Sequence, residues 1–299
     1  MTQHDYAYTR APAGHRLHAE ATLGAVHLQV ADLARSVAYY ERVIGLRTIA
    51  SHDDTVSLGA NGDSTSLVVL HHREGAAPVP TRGRLGLYHF AILLPNREAL
   101  GRFIAHLATI GAYAGMSDHL VSEAVYLTDP DGLGIEVYAD RPREAWRIAN
   151  NKLEMATLTL NAADLVRASR GRAWDGMPPG TRIGHVHLFV SDLDAAARFY
   201  HEGLGLDEVL LEFPGALFMS AGGYHHHLGT NTWAAGAPRA EPGDARMLEW
   251  SVMLPSAADV DATARALENA GATVTRTDGD VTAADPWGTI VRVTTKPPS

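Results

Sequence analysis

Two hydrophobic periods take turns along the chain. Leu23–Val30 alternates, with Val26, Leu28 and Val30 on one face and His27 and Gln29 on the other, as a strand requires. Asp32 then stands where a helix N-cap belongs, and Leu33, Val37, Tyr40 and Ile44 recur at helical spacing until Gly45. Thr48–Ser51, Thr55–Gly59 and Ser66–Leu70 read as three short strands, separated by the turn pairs Asp53-Asp54 and Asn61-Gly62. After a Pro- and Gly-rich linker, 73–83, the pattern begins again. Leu87–Leu94 is a strand with His89 on the face of Leu87 and Ala91. Asn96 caps a helix whose apolar face is Leu100, Phe103, Leu107 and Ile110, and Gly111 ends it. Further strands follow: Tyr126 sits in an apolar alternation, Asp129-Pro130-Asp131-Gly132 makes a tight turn, and Ile135 and Val137 flank Glu136 in the last strand.

This strand-helix-three-strand unit returns at an offset of 160 residues. Gly24–Val30 reappears as Gly184–Val190, Asp32-Leu33 as Asp192-Leu193, Gly45-Leu46 as Gly205-Leu206 and Leu94-Pro95 as Leu254-Pro255, after which Ser256 and Asp259 open a capped helix. Four copies therefore build the chain. Each has one sheet face too apolar for water, so the units must pair. The expected fold is α+β, four βαβββ units forming two incomplete eight-stranded barrels. The expected division is a first domain at 21–140 carrying the site, a connection at 141–182 and a second domain at 183–296. The connection holds a helix around Pro142–Ile148 and an alternating Met155–Leu160. Residues 1–20 form a polar arm.

Composition narrows the chemistry. Apolar residues make up 46% and charged residues 20% of 299, a globular balance large enough for two cores. With no cysteine, any metal must be held by nitrogen and oxygen, and the 16 histidines are many for this length. A net charge of −9 without a basic stripe argues against nucleic acid. No apolar run approaches the ~18 residues of a membrane span. The N-terminus lacks a signal-peptide pattern, so a cytoplasmic location is expected. Glu136 inside a half-buried strand needs a partner, since an unpaired buried charge costs several kcal/mol, and a metal shared with upstream histidines is one compensation.

On these residues the chain resembles the vicinal oxygen chelate superfamily, which groups glyoxalases, bleomycin resistance proteins and extradiol dioxygenases. Within it the likeness is to two-domain catechol 2,3-dioxygenase-like proteins. The resemblance implies that His27, His89 and Glu136 hold Fe(II), or else Mn(II) or another divalent metal, leaving positions open for substrate. It implies that Tyr126 stabilises the bound substrate and that the Asp118-His119 pair serves acid/base chemistry. The reaction expected is ring cleavage of a catechol or hydroquinone by dioxygen. The partners expected are a small aromatic diol and dioxygen, with no nucleic acid and no membrane, in a chain compatible with a homo-oligomer.

Two departures qualify this. The family's further acid/base histidine, on the fourth strand of the first unit, has no counterpart in Asp63–Leu67. In the second half the counterparts of the ligands are His187, Glu249 and Arg292, and an arginine cannot ligate. That half is expected to lack an equivalent metal, the alternative being a differently built site of His187, one of His225–His227 (His227 foremost) and Glu249. His71 and His72 read as solvated. The rival functions are a glyoxalase-type isomerase or lyase, which uses four protein ligands, and a non-catalytic protein that binds a small aromatic or a metal.

Overall fold

The computed structural model describes residues 6–210 and 213–295. Residue 296, the expected end of the second half, lies outside the described residues, as does part of the N-terminal arm, 1–5. Unit one consists of β1 (Thr22–Val30), α1 (Leu33–Tyr39), β2 (Arg47–His52), β3 (Thr55–Gly59) and β4 (Ser66–His72). Unit two is β5 (Gly86–Leu93), α2 (Arg97–Ile110), β6 (Gly115–Asp118), β7 (Ser122–Thr128) and β8 (Gly134–Asp140). A two-residue hairpin, β9 (Ile148–Ala149) with β10 (Lys152–Leu153), and α3 (Ala162–Ala168) form the connection. Unit three is β11 (Arg182–Phe189), α4 (Leu193–Ala196), β12 (Asp207–Leu210), β13 (Ala216–Ser220) and β14 (Leu228–Asn231). Unit four is β15 (Arg246–Met253), α5 (Ala257–Asn269), β16 (Val274–Thr277), β17 (Asp280–Ala284) and β18 (Ile290–Thr294).

The helices start where the sequence places their caps. Asp32, Asn96, Asp192 and Ser256 each accept the backbone N–H three residues on, satisfying a donor that the first turn leaves free. Both α1 and α4 continue as π-helical turns, 40–44 and 197–203, and Gly45 and Gly111 end their helices in the left-handed region (φ 88° and 68°). The connection differs from expectation. Its helix is a short 3-10 turn at Arg143–Ala145, Met155–Leu160 runs without a strand, and α3 was not foreseen.

Two eight-stranded mixed sheets result, and together they make the two incomplete barrels. One runs β16-β17-β18-β15-β1-β4-β3-β2, the other β12-β13-β14-β11-β5-β8-β7-β6. The sheets are therefore not the halves 21–140 and 183–296. Unit one pairs with unit four, and unit two with unit three, through antiparallel central pairs β1 with β15 and β5 with β11. Successive units instead meet back to back. The turn Asp129–Gly132 of unit two receives unit one: Asp131 accepts Ala31 N–H at 3.1 Å and pairs with Arg35, and Asp129 takes the Tyr40 hydroxyl at 3.3 Å. Units three and four repeat this through Tyr200 to Asp285 (2.8 Å) and Trp287 to Ser191 (2.8 Å). The physical reason is that every unit offers the same kind of first strand. Alternation fixes which face is apolar, whereas partner choice is decided by these helix-to-turn contacts.

One buried cluster spans all four units, including Val26, Leu28, Phe90, Ile92, Val186, Leu188, Trp250 and Val252 from the central strands. The arm packs onto unit three. Tyr8 donates to Gly223 O (2.7 Å), and Arg16 forks onto the Asp207 carboxylate at 2.8 and 2.6 Å.

Candidate active site

The candidate site lies on one face of the sheet built by units two and three. On β5, Ala91 and Leu93 line one face with His89; on β8, Glu136 stands beside Ala91 in parallel register. On β11, His185 pairs with Ala91 and His187 with His89, across bulges that flank the histidines. His89 Nε2 and His185 Nε2 each lie 3.0 Å from Glu136 Oε2 and 3.3 Å from one another. All three side chains are buried. Among the described residues, no other group of three or more His, Asp or Glu side chains converges in this way.

This triangle suits a divalent cation. Three atoms each ~2.1 Å from one ion and at right angles to each other lie about 3.0 Å apart, and two imidazoles with one carboxylate on a single face leave the opposite positions open. Hydrogen bonding alone accounts for it poorly, because two imidazole nitrogens would then crowd one oxygen. Burial holds His89 below the usual histidine range despite Glu136, which favours the neutral imidazole that ligates. Burial would raise Glu136, but His185 and His89 outweigh it and hold the carboxyl well below its ordinary range.

The three groups line a cavity of ≈ 320 Å³ whose walls include Tyr88, Phe213, Phe218 and Trp233. Tyr126 and His119 join it from β7 and the β6–β7 turn. The Tyr126 hydroxyl donates to His119 Nε2 at 2.6 Å, and His119 Nδ1–H donates to Ala156 O at 2.8 Å, which fixes the ring. Burial, with Glu136 nearby, pushes the Tyr126 phenol far above its usual range, so it stays protonated. Asp118 does not line the cavity. Its carboxylate accepts Leu120 N–H (2.9 Å) and Arg141 Nη2–H (2.6 Å), bracing the turn that presents His119.

His27 is not brought to His89 and Glu136. It lies in the sheet of units one and four, with Nδ1 3.0 Å from His71 Nε2 and Glu249 opposite across the strand pair. His71, read as solvated, is this partner and only partly exposed. In the register of that sheet Glu249 takes the place of His89, and Arg292, beside Ser251, takes that of Glu136. Arg292 grips the Glu249 carboxylate at 2.6 and 2.8 Å, so a guanidinium occupies the corresponding position. The alternative set of His187, His227 and Glu249 is not assembled either, because His187 and Glu249 belong to different sheets. His187 is a cavity wall residue whose Nε2 accepts from the Asn231 amide at 3.0 Å.

His185 was not among the sequence candidates, and His226 was one only within the triple His225–His227 of the alternative site. His185 is the first histidine of the doublet His185-Val186-His187, and period 2 puts both on one face; the offset of 160 matches His27 to His187 alone. His226 lines the cavity with its ring centroid 4.2 Å from that of His185. It stands two residues before β14, the fourth strand of unit three. The family histidine that seemed absent near Asp63 thus has a counterpart once unit three, and not unit one, is the partner of unit two.

The family profile described as Glyoxalase/Bleomycin resistance protein/Dioxygenase superfamily matches residues 22–137 and 182–291. The chain belongs to this superfamily. It is 39% identical over 274 residues, 90% of this chain and 95% of the other, to a curated catechol-2,3-dioxygenase of Bacillus subtilis (strain 168). Among solved structures, one from Bacillus subtilis subsp. subtilis str. 168, assigned provisionally as a dioxygenase, matches with TM-score 0.64 at 15% identity, covering 96% of this chain and 87% of that one. Glyoxalase I from Zea mays matches with TM-score 0.55 at 17% identity, covering 92% of each chain. At such identities these two likenesses speak for the fold.

Proposed function

We infer that this chain is a metal-dependent extradiol dioxygenase that opens the ring of a catechol or hydroquinone. The observation that carries the reading is the convergence of His89, His185 and Glu136 on one buried point inside an aromatic-walled cavity, in a chain 39% identical to a catechol-2,3-dioxygenase. Fe(II) is the metal proposed. When bound, it would bring diol and dioxygen together and let electron density pass between them. The protein supplies the rest. Trp233, Phe218 and Tyr88 give the ring an apolar, water-poor seat. His226 faces that seat as acid/base, taking a proton from the diol and returning one later. Tyr126 keeps its one proton, which turns from His119 Nε2 to an oxygen that gains negative charge, while the short contact to His119 sets the orientation of the hydroxyl.

The glyoxalase-type rival uses a fourth protein ligand, expected on the fourth strand of the first unit, a place that β14 of unit three takes in this sheet. Here β14 offers Leu228, Gly229, Thr230 and Asn231, with Gly229 beside His187, and none is a carboxylate. A non-catalytic binder has no use for a histidine and a tyrosine-histidine pair flanking the same open positions. The test is oxygen uptake by anaerobically iron-loaded protein on a panel of catechols and hydroquinones. One dioxygen consumed per diol, with a ring-opened product, is expected. Diol binding at the metal without oxygen consumption on any ring would replace this reading with the sequestering protein.

A further inference from the structure

We propose that Asp140 and His225 are positioning residues that set the tautomer of His226, so that its Nε2 presents a lone pair to the cavity. This rests on the acid/base reading of His226 given above. Asp140 closes β8, four residues beyond Glu136, and its side chain is 24% exposed. The Tyr224 hydroxyl donates to both its oxygens (3.1 and 2.9 Å), and His225 Nε2 lies 2.9 Å from Oδ1. Because a carboxylate only accepts, His225 Nε2 carries the proton. A neutral His225 then has its lone pair on Nδ1, which sits 2.8 Å from His226 Nδ1. His226 must supply that hydrogen. With its proton on Nδ1, its lone pair is left on Nε2.

The anchor of this chain is itself held. Tyr224 gives its one proton to Asp140, so the Tyr138 hydroxyl donates to Tyr224, at 2.7 Å. Tyr138 is fully buried and reaches this position past Gly184, where a Cβ would come within 1.8 Å of its oxygen. The strand that carries His185 is thereby packed against the group that orients His226. The reverse polarity would require one more proton on the Asp140–His225 pair, where His225 is fully buried among Tyr138, Trp146, Tyr224, His185 and His226 rings. It would turn an N–H to the cavity and leave no base there.

The experiment has two arms. Two-bond proton–nitrogen correlation on Zn(II)-loaded, ¹⁵N-histidine-labelled protein reads each tautomer without turnover, with the His226 signals assigned by their loss in His226→Gln. Protonation of His226 at Nδ1 is expected in the unmodified protein, with a mixture in Asp140→Ala and His225→Phe. In the iron-loaded enzyme both variants should lose about 10²-fold or more in kcat while metal content and KM change little. Protonation of His226 at Nε2 in the unmodified protein would overturn the proposal, as would unchanged kcat in either folded, metal-replete variant. If the unmodified protein consumes no oxygen with any diol, the dioxygenase reading fails, and the tautomer assignment then stands or falls on the nitrogen signals alone.

Discussion

At the scale of residues, the proposed site separates groups that would hold a metal from groups that would handle protons. Tyr126 and His119 are joined at 2.6 Å, and His119 is tied to the backbone through Ala156, so neither is free to ligate. Tyr126→Phe and His119→Gln should therefore keep a full complement of iron and still bind a catechol. Each should lower kcat by ~10²–10⁴, the range for removing one acid/base or oxyanion-stabilising group. Loss of metal from either variant would move that residue into the ligand set. Wild-type kcat would remove it from the chemistry. Much of this was legible in the sequence: Tyr126, His119, His89 and Glu136 all fall at the cavity. Asp118 was read as chemical because it adjoins His119, and its role in holding Leu120 and Arg141 depends on a turn that no spacing reveals.

At the scale of elements, caps and strand alternation were readable because they are local. Asp32, Asn96 and Ser256 need only their own next turn. The Asp129–Gly132 stretch was readable as a turn but not as a joint, since its partners Tyr40, Arg35 and Ala31 lie about 90 to 100 positions away in unit one. Asp129 Oδ1 accepts the N–H groups of Asp131 and Leu133, and burial raises its pKa to about 6, the hydrogen bonds only partly opposing this. The sign follows. A carboxyl whose pKa is higher folded than unfolded holds its proton more tightly in the native state. Its stabilising contribution is present below the unfolded value near 4 and is lost as pH rises through about 6. Asp129→Asn cannot titrate and keeps an oxygen for both backbone groups. The melting temperature of the unmodified protein should fall relative to this variant between pH 4 and 6; a difference that stays constant over that window would contradict the assigned environment.

At the scale of the whole molecule, the pairing of units decides where a site can exist. Four first strands with the same alternation can pair in several ways, and the sequence favours none, because the contacts that choose are long-range. Pairing unit two with unit three brings His185 and His226 to His89 and Glu136. It leaves His27 opposite Glu249, where Arg292 supplies the positive charge that a metal would otherwise bring. The two sheets are thus related by fold and opposed in chemistry.

The most direct test of this account is the iron content of two single variants, purified without oxygen and loaded alike, alongside the unmodified protein. His27 and His185 are both partly or wholly buried strand histidines in repeat-related units, so each substitution disturbs a similar environment. The account predicts about one iron per chain in the unmodified protein and in His27→Ala, and little or none in His185→Ala, with all three folded by circular dichroism. Iron lost from His27→Ala and retained in His185→Ala would contradict it.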